Sequence, residues 1–161
     1  RLEGLYGDTL ANHKVTVFKE RATVSGPNEV RLASGRTLTA GKILIAVGAR
    51  PSLPDIEGCE HVITSNEVFH LEELPKRIVI AGGGYIANEF AGIFHQFGSH
   101  VTIVNRSDTI LRGYDEQIVD RLVKISIAKG IDFRFNAGFD RIEKQEDGSL
   151  RCVMKGCDDI V

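Results

Sequence analysis

The chain has 161 residues, 42% of them apolar and 26% charged, the composition of an ordinary soluble globular fold with length for one domain or parts of two. A net charge of −2 without a basic tract argues against a nucleic-acid partner, and no apolar run is long enough to span a membrane. Three cysteines are too few for a disulfide scaffold, so a reducing, cytoplasmic setting is expected.

The chain does not begin with Met, and patterned sequence runs to both ends, so it reads as an internal piece of a longer protein. No secretory signal is spelled in Arg1–Tyr6. Leu2, Leu5, Tyr6 and Leu10 recur at near-helical spacing and predict a helix under way from residue 1. Val15–Phe18 alternates as a strand would. Ala22–Val24, Glu29–Leu32 and Thr37–Thr39 predict an antiparallel meander, punctuated by Gly26-Pro27 and Ser34-Gly35. Lys42–Val47 is a continuous apolar run, expected as a buried parallel strand. Gly48 and Pro51 break it. From Pro51 to about Pro75 the sequence reads as a connector with one short helix, for which Ser65 is a candidate N-cap.

After Pro75 the grammar changes. Arg77–Ala81 predicts a second buried strand, running straight into Gly82-Gly83-Gly84. A helix follows, with Ile86, Phe90, Ile93, Phe94 and Phe97 on one face, ended by Gly98. Val101–Val104 is the next strand. Asp115 can cap a helix whose stripe is Ile118, Leu122 and Ile125, ended by Gly130. Ile131–Phe135 is a further strand. Phe139–Glu143 and Leu150–Met154 predict a hairpin around Asp147-Gly148. The fold class is therefore α/β: a Rossmann-like parallel βαβαβ unit, preceded by an antiparallel β-meander.

Gly82, Gly84 and Ala87 satisfy the pattern G-x-G-x-x-G/A. The pattern gains meaning because it follows a strand and opens a helix within a βαβ unit. Gly82 permits the tight turn, Gly84 lets the backbone approach a pyrophosphate, and Ala87 lets the helix pack close to the strand. The helix N-terminus offers free N–H groups and partial positive charge to phosphates. In an NAD site an acidic residue about 20 positions on binds the ribose 2′-hydroxyl. Here that position is Asn105, followed by Arg106 and, six residues later, Arg112. Guanidinium forks suit a 2′-phosphate in charge and geometry, which favours NADP(H) over NAD(H). Two solvated arginines at a strand end would show the same spacing.

The stretch RIVIAGGGYIANEFAGIFHQFGSHVTIVNRSDTILRGYD resembles the NADP-binding segment of the glutathione reductase branch of the flavin-dependent pyridine nucleotide–disulfide oxidoreductases. KILIAVGARPSLPDIEGCEHVITSNEVFHLEELPKR is similar to that family's link between its FAD and NADP domains. The resemblance implies that residues 1–51 close the FAD-domain region with a helix end, the meander and a final strand. It makes 52–75 a connector and 76–161 an NADP-binding domain truncated before its last strand. It implies that Gly83, Tyr85, Ile86 and Glu89 line the nicotinamide side, with Tyr85 as an aromatic gate and Glu89 pairing with a lysine of the FAD domain. Arg106 and Arg112 would hold the 2′-phosphate. The backbone of Ala22 would meet the FAD adenine, and Ala46, Val47 and Gly48 would pass near the FAD.

The parent activity implied is transfer of hydride from NADPH to FAD and on, through a redox disulfide, to glutathione disulfide, in a homodimer built through a C-terminal domain. The redox cysteine pair and the acid/base histidine of that scheme lie outside this chain, which would be inactive alone. Lipoamide dehydrogenases resemble the chain but carry an acid where Asn105 stands. Trypanothione reductases share EFAGIF yet have an insertion before the second strand of the unit, where Gly98-Ser99-His100 here leads straight into Val101. A mercuric-type reductase or a non-enzymatic NADP-binding module are the other readings.

The end of the chain spells Cys152-Val-Met-Lys-Gly-Cys157, which matches the family's redox pair, Cys-Val-x-x-Gly-Cys. The flanks differ from that motif, and the pair follows the glycine loop instead of preceding it. Cys152 falls in a predicted strand, where positions five apart point to opposite faces. Both cysteines, and Cys59 in the connector, are therefore expected to be ordinary thiols. His13, His61, His70, His95 and His100 show no metal-ligand spacing.

Overall fold

The computed structural model describes residues 2–161; Arg1, where the first helix is expected to be under way, lies outside them. The chain divides into two compact units, with the boundary between Ala49 and Arg50.

In the first unit, helix α1 (Leu2–Asn12) precedes the expected meander: β1 (Ala22–Gly26), β2 (Glu29–Leu32) and β3 (Thr37–Thr39), antiparallel in the order β1-β2-β3. The helix forms, but none of its side chains is buried. Two expected strands are absent. Val15–Phe18 is irregular, although Phe18 finds a partner in the Arg36 guanidinium, 5.0 Å from its ring centroid. Lys42–Val47 is unpaired, with Leu44 89% and Val47 87% exposed. A parallel strand needs ladder partners and cover on both faces. Among the described residues of this unit neither is supplied to Lys42–Val47, so the apolar run stays uncovered.

The second unit begins with two 3-10 turns, Cys59–His61 and Glu67–His70, in place of the one short helix. Ser65 is not the cap. Asn66 stands at the N-cap without a side-chain cap bond, and the Thr64 backbone N–H and hydroxyl both donate to the Glu67 carboxylate, at 2.8 and 2.5 Å. Beyond Pro75 run β4 (Arg77–Ala81), α2 (Tyr85–Gln96), β5 (His100–Val104), α3 (Glu116–Lys129) and β6 (Asp132–Arg134). The three strands form a parallel sheet in the order β4-β5-β6, with Ala81 opposite Val104 and Val104 opposite Arg134. This is the expected βαβαβ unit. A hairpin, β7 (Gly138–Lys144) and β8 (Leu150–Lys155), follows as its own antiparallel sheet. Glu57 ties the first turn region to it by accepting the Ile142 N–H at 2.9 Å.

The core lies between α2 and the parallel sheet: Ala91, Phe94, Val101, Ile103 and Ile131, with Ile78, Ile80, Phe90 and Phe133 packed against them. The face that α2 buries is only part of the expected stripe: Phe94 is in the core and Phe90 packs against it, and the rest of the buried face is alanine. Ala87, Ala91 and Phe94 are buried, whereas Ile86, Ile93 and Phe97 are exposed. Alanines let the helix backbone approach the strands closely, so the close-packing face is the one with small residues. The stripe of α3 is likewise open: Ile118 is 69% exposed, Leu122 and Ile125 are also exposed, and only Val119 is buried. Its ends are as expected. Asp115 accepts the N–H groups of Gln117 and Ile118 at 3.0 and 3.1 Å, and Gly130 closes the helix at φ 103°.

Candidate dinucleotide-binding site

The glycine turn sits at the carboxyl end of the parallel strands, the side on which open α/β sheets bind ligands. Gly82 extends the ladder by donating to Val104 O at 2.8 Å, then turns at φ 108°, a conformation that requires glycine. Gly84 is the N-cap of α2, extended at φ −74° and ψ 175°. A Cβ built on it would meet nothing within 4 Å. Ala87 is 8% exposed and seats the helix.

The two helix starts differ in a way that bears on ligand binding. The start of α3 is neutralised by the Asp115 carboxylate and followed by Glu116. The start of α2 has no side-chain cap and no acidic residue in its first turn. No capping side chain or first-turn acid therefore offsets the partial positive charge of its leading N–H groups. That donor set fits the pyrophosphate of a dinucleotide.

The neighbouring loop, Asn105–Arg112, is fixed to this turn. Leu111 N–H donates to Gly83 O at 2.7 Å. The Ile110 side chain is buried against Gly83, so that a Cβ there would lie 2.9 Å from Ile110 Cγ2 and 2.9 Å from Asn105 Nδ2. Asn105 does more than replace an acid. Its amide donates to Ser107 Oγ at 2.8 Å and to Thr109 O at 2.5 Å, closing the loop on itself. On the far side Asn136 N–H donates to Ser107 O and Ala137 N–H to Asn105 O. Arg106 and Arg112 project from this braced loop as exposed side chains, without an ion-pair partner among the described residues.

The structure thus brings together Gly82, Gly83, Gly84, Tyr85, Ile86, Ala87 and Glu89 on one turn and helix, beside the loop carrying Arg106 and Arg112. Tyr85 and Ile86 open the helix with exposed side chains, and Glu89 is exposed one turn further on. Ala22, in β1, and Ala46, Val47 and Gly48, in the irregular end, belong to the other unit and are exposed. Sequence reasoning missed Asn88, Asn105 as a donor, Ile110 and Leu111. Asn88 had a signal: an amide one turn into a helix reaches back to the carbonyls that precede it. The left-handed Leu111, φ 50°, had none.

The spelled cysteine pair is not a disulfide. All three cysteines are free. Cys152 lies in β8 opposite Ile142 and exchanges both backbone hydrogen bonds with Ile160, at 2.7 and 3.0 Å. Burial, with Asp159 nearby, pushes its thiol above the ordinary range.

Residues 3–160 match the family described as Pyridine nucleotide-disulphide oxidoreductase. The chain is 44% identical to a glutathione reductase of Burkholderia cepacia over 90% of its length, covering 32% of that protein. It is 45% identical to a trypanothione reductase of Trypanosoma congolense over 73% of its length, covering 25% of that protein. Among solved structures, the HOCl-induced flavoprotein disulfide reductase RclA of Escherichia coli superposes with a TM-score of 0.82 at 29% identity, over 99% of this chain and 37% of that one. The chain therefore spans about a third of the curated relative that it matches over 90% of its length. The family's description names a pyridine nucleotide, and the solved relative is a flavoprotein. With the parallel unit, the glycine turn and the match over residues 3–160 in agreement, this chain belongs to the pyridine nucleotide-disulphide oxidoreductases.

Proposed function

We propose that this chain carries the NADPH half-site of a flavin-dependent disulfide reductase whose substrate is glutathione disulfide. The observation that carries this reading is the uncapped start of α2 beside a braced loop with Asn105 in the acid position and two arginines that have no ion-pair partner among the described residues. NADPH and FAD would supply hydride and electron transfer ending in disulfide reduction. The residues bind and orient. Helix N–H groups at Tyr85–Ala87 hold the pyrophosphate, and Arg106 and Arg112 hold the 2′-phosphate by charge-assisted contacts. Tyr85 covers the nicotinamide side, and Glu89 orients toward a basic partner from the FAD domain. The backbone of Ala22 meets the FAD adenine, and Ala46, Val47 and Gly48 pass near the FAD. In this reading residues 1–51 close the FAD domain, 52–75 connect, and 76–161 form most of the NADP domain of a cytoplasmic homodimer.

Identity alone does not choose the disulfide, because the trypanothione reductase is as similar as the glutathione reductase. The tight junction before β5 supports glutathione disulfide: Gly98 and Ser99 join α2 to the strand, and Ser99 Oγ donates to Pro75 O at 2.6 Å. Calorimetric titration with NADPH and NADH, on the wild type and on Arg106→Ala/Arg112→Ala, tests the cofactor. Each charge-assisted contact is worth about 1.5–3 kcal/mol, so the double variant should lose NADPH affinity by at least roughly 100-fold and keep its NADH affinity. Equal wild-type affinity for the two nucleotides would overturn the assignment. Turnover of the full-length protein with glutathione disulfide against trypanothione disulfide tests the substrate.

A further inference from the structure

Asn88 is half-buried one turn into α2 and has no part in the glycine pattern. Its amide nitrogen donates to Gly83 O at 3.2 Å and to Gly84 O at 2.8 Å. Those carbonyls have one more donor each: Leu111 N–H reaches Gly83 O at 2.7 Å, and Asn88's own N–H reaches Gly84 O at 3.2 Å. A carbonyl oxygen has two acceptor sites and an amide nitrogen two hydrogens. Both sites of both carbonyls are therefore filled, and one side chain supplies half of the donors. The amide can sit only this way round, since its oxygen would face two other oxygens.

This matters because a carbonyl oxygen swung toward a phosphate would repel it. We infer that Asn88 is a positioning residue for the pyrophosphate turn, clamping the Gly83 and Gly84 carbonyls against the helix so that the turn presents N–H groups outward. The inference rests on the NADPH reading above. It predicts that Asn88 affects the pyrophosphate end of the ligand and leaves the 2′-phosphate end alone.

The test uses the full-length protein, with NADPH and adenosine 2′-monophosphate as probes. The second probe carries the 2′-phosphate but no pyrophosphate. Asn88→Leu removes both side-chain donors at similar volume. Asn88→Asp keeps the shape and turns acceptors toward acceptors. Losing two neutral hydrogen bonds should weaken NADPH roughly tenfold in the leucine variant, and more in the aspartate variant, with adenosine 2′-monophosphate unchanged within about twofold. Thermal melts accompany both variants, and if the leucine variant does not fold, the isosteric aspartate variant decides. Unchanged NADPH affinity in a folded variant would overturn the role of Asn88. A parallel loss for both probes would also overturn it, by showing a general structural effect. A wild type that bound adenosine 2′-monophosphate and not NADPH would sink the half-site reading itself.

Discussion

Gly83 and Gly84 are adjacent and identical in sequence, yet substitution by alanine should damage different things. A Cβ on Gly83 would lie 2.9 Å from Asn105 Nδ2 and from Ile110 Cγ2, closer than atoms tolerate. Neither neighbour yields easily. Ile110 is fully buried, and Asn105 is held by its donations to Ser107 and Thr109. Displacing Ile110 is an overpacking cost of about 1–3 kcal/mol. Displacing Asn105 forfeits two hydrogen bonds at about 0.5–1.5 kcal/mol each. Either route leads to about 2 kcal/mol, or a fall in melting temperature of roughly 4–8 °C for a chain of this size. A Cβ on Gly84 meets nothing within 4 Å, and its backbone is extended. Gly84→Ala should hold stability to within about 0.5 kcal/mol. Its methyl group would stand in the space above the turn, where a phosphate would approach the backbone, and should cost NADPH roughly tenfold or more in affinity. Circular dichroism melts and nucleotide titration of the two variants separate the effects. A Gly83→Ala protein that melts with the wild type, or a Gly84→Ala protein that binds NADPH normally, would refute the reasoning.

Asn105→Asp places a carboxylate where a ribose 2′-hydroxyl could be bound and removes the donors to Ser107 and Thr109. The preference for NADPH over NADH should fall by at least roughly tenfold, measured by competitive titration; an unchanged ratio counts against the 2′-phosphate assignment. Asp159 accepts the Met154 N–H at 3.0 Å and pairs with Arg151, and these contacts hold its carboxyl below the ordinary 3.8. A lowered folded-state value stabilises the hairpin above the ordinary value, and that contribution is lost as pH falls through the folded one. An NMR titration of the Met154 amide should therefore show its midpoint below 3.8, and a midpoint at or above it would contradict the contact. Thiol titration in denaturant without reductant should find all three cysteines, with Cys152 the slowest to react in the native state; a single reactive thiol would indicate a bonded pair.

What could be read from residues alone was whatever chain neighbours decide. The βαβαβ order, the Asp115 and Gly130 caps, the meander and the Asp147-Gly148 hairpin all follow from local periodicity and turn chemistry, and all are present. The errors lie where a distant partner decides. In α2 the expected stripe holds at Phe90 and Phe94 but not at Ile86, Ile93 and Phe97, where the sheet takes Ala87 and Ala91 instead, because close approach rewards small residues. Lys42–Val47 and the α3 stripe are apolar enough to be buried, and among the described residues nothing covers them within their own units. The site divides in the same way. The glycine turn and the Arg106/Arg112 spacing were visible. The bracing of their loop was not: Leu111 and Ile110 meet Gly83 from more than twenty positions away, and Asn105 closes the loop on Ser107 and Thr109 through a turn with no sequence signature.

The cysteine pair shows why spelling is weaker than surroundings. A redox dithiol needs an accessible thiolate, favoured by positive charge or a helix N-terminus. Cys152 has the reverse on every count. It stands mid-strand, opposite Ile142 on one side and bonded to Ile160 on the other. Its thiol is buried, and the nearby charge of Asp159 is negative, so both influences hold it protonated. Cys157 lies past the end of β8, beyond left-handed Gly156. The six letters match a reactive motif, while the environment selects against the one species that could react. At Gly82–Gly84 the pattern and its surroundings agree: the strand ends there, the helix begins uncapped, and the carbonyls are turned in. That agreement supports the nucleotide site proposed at the start of α2.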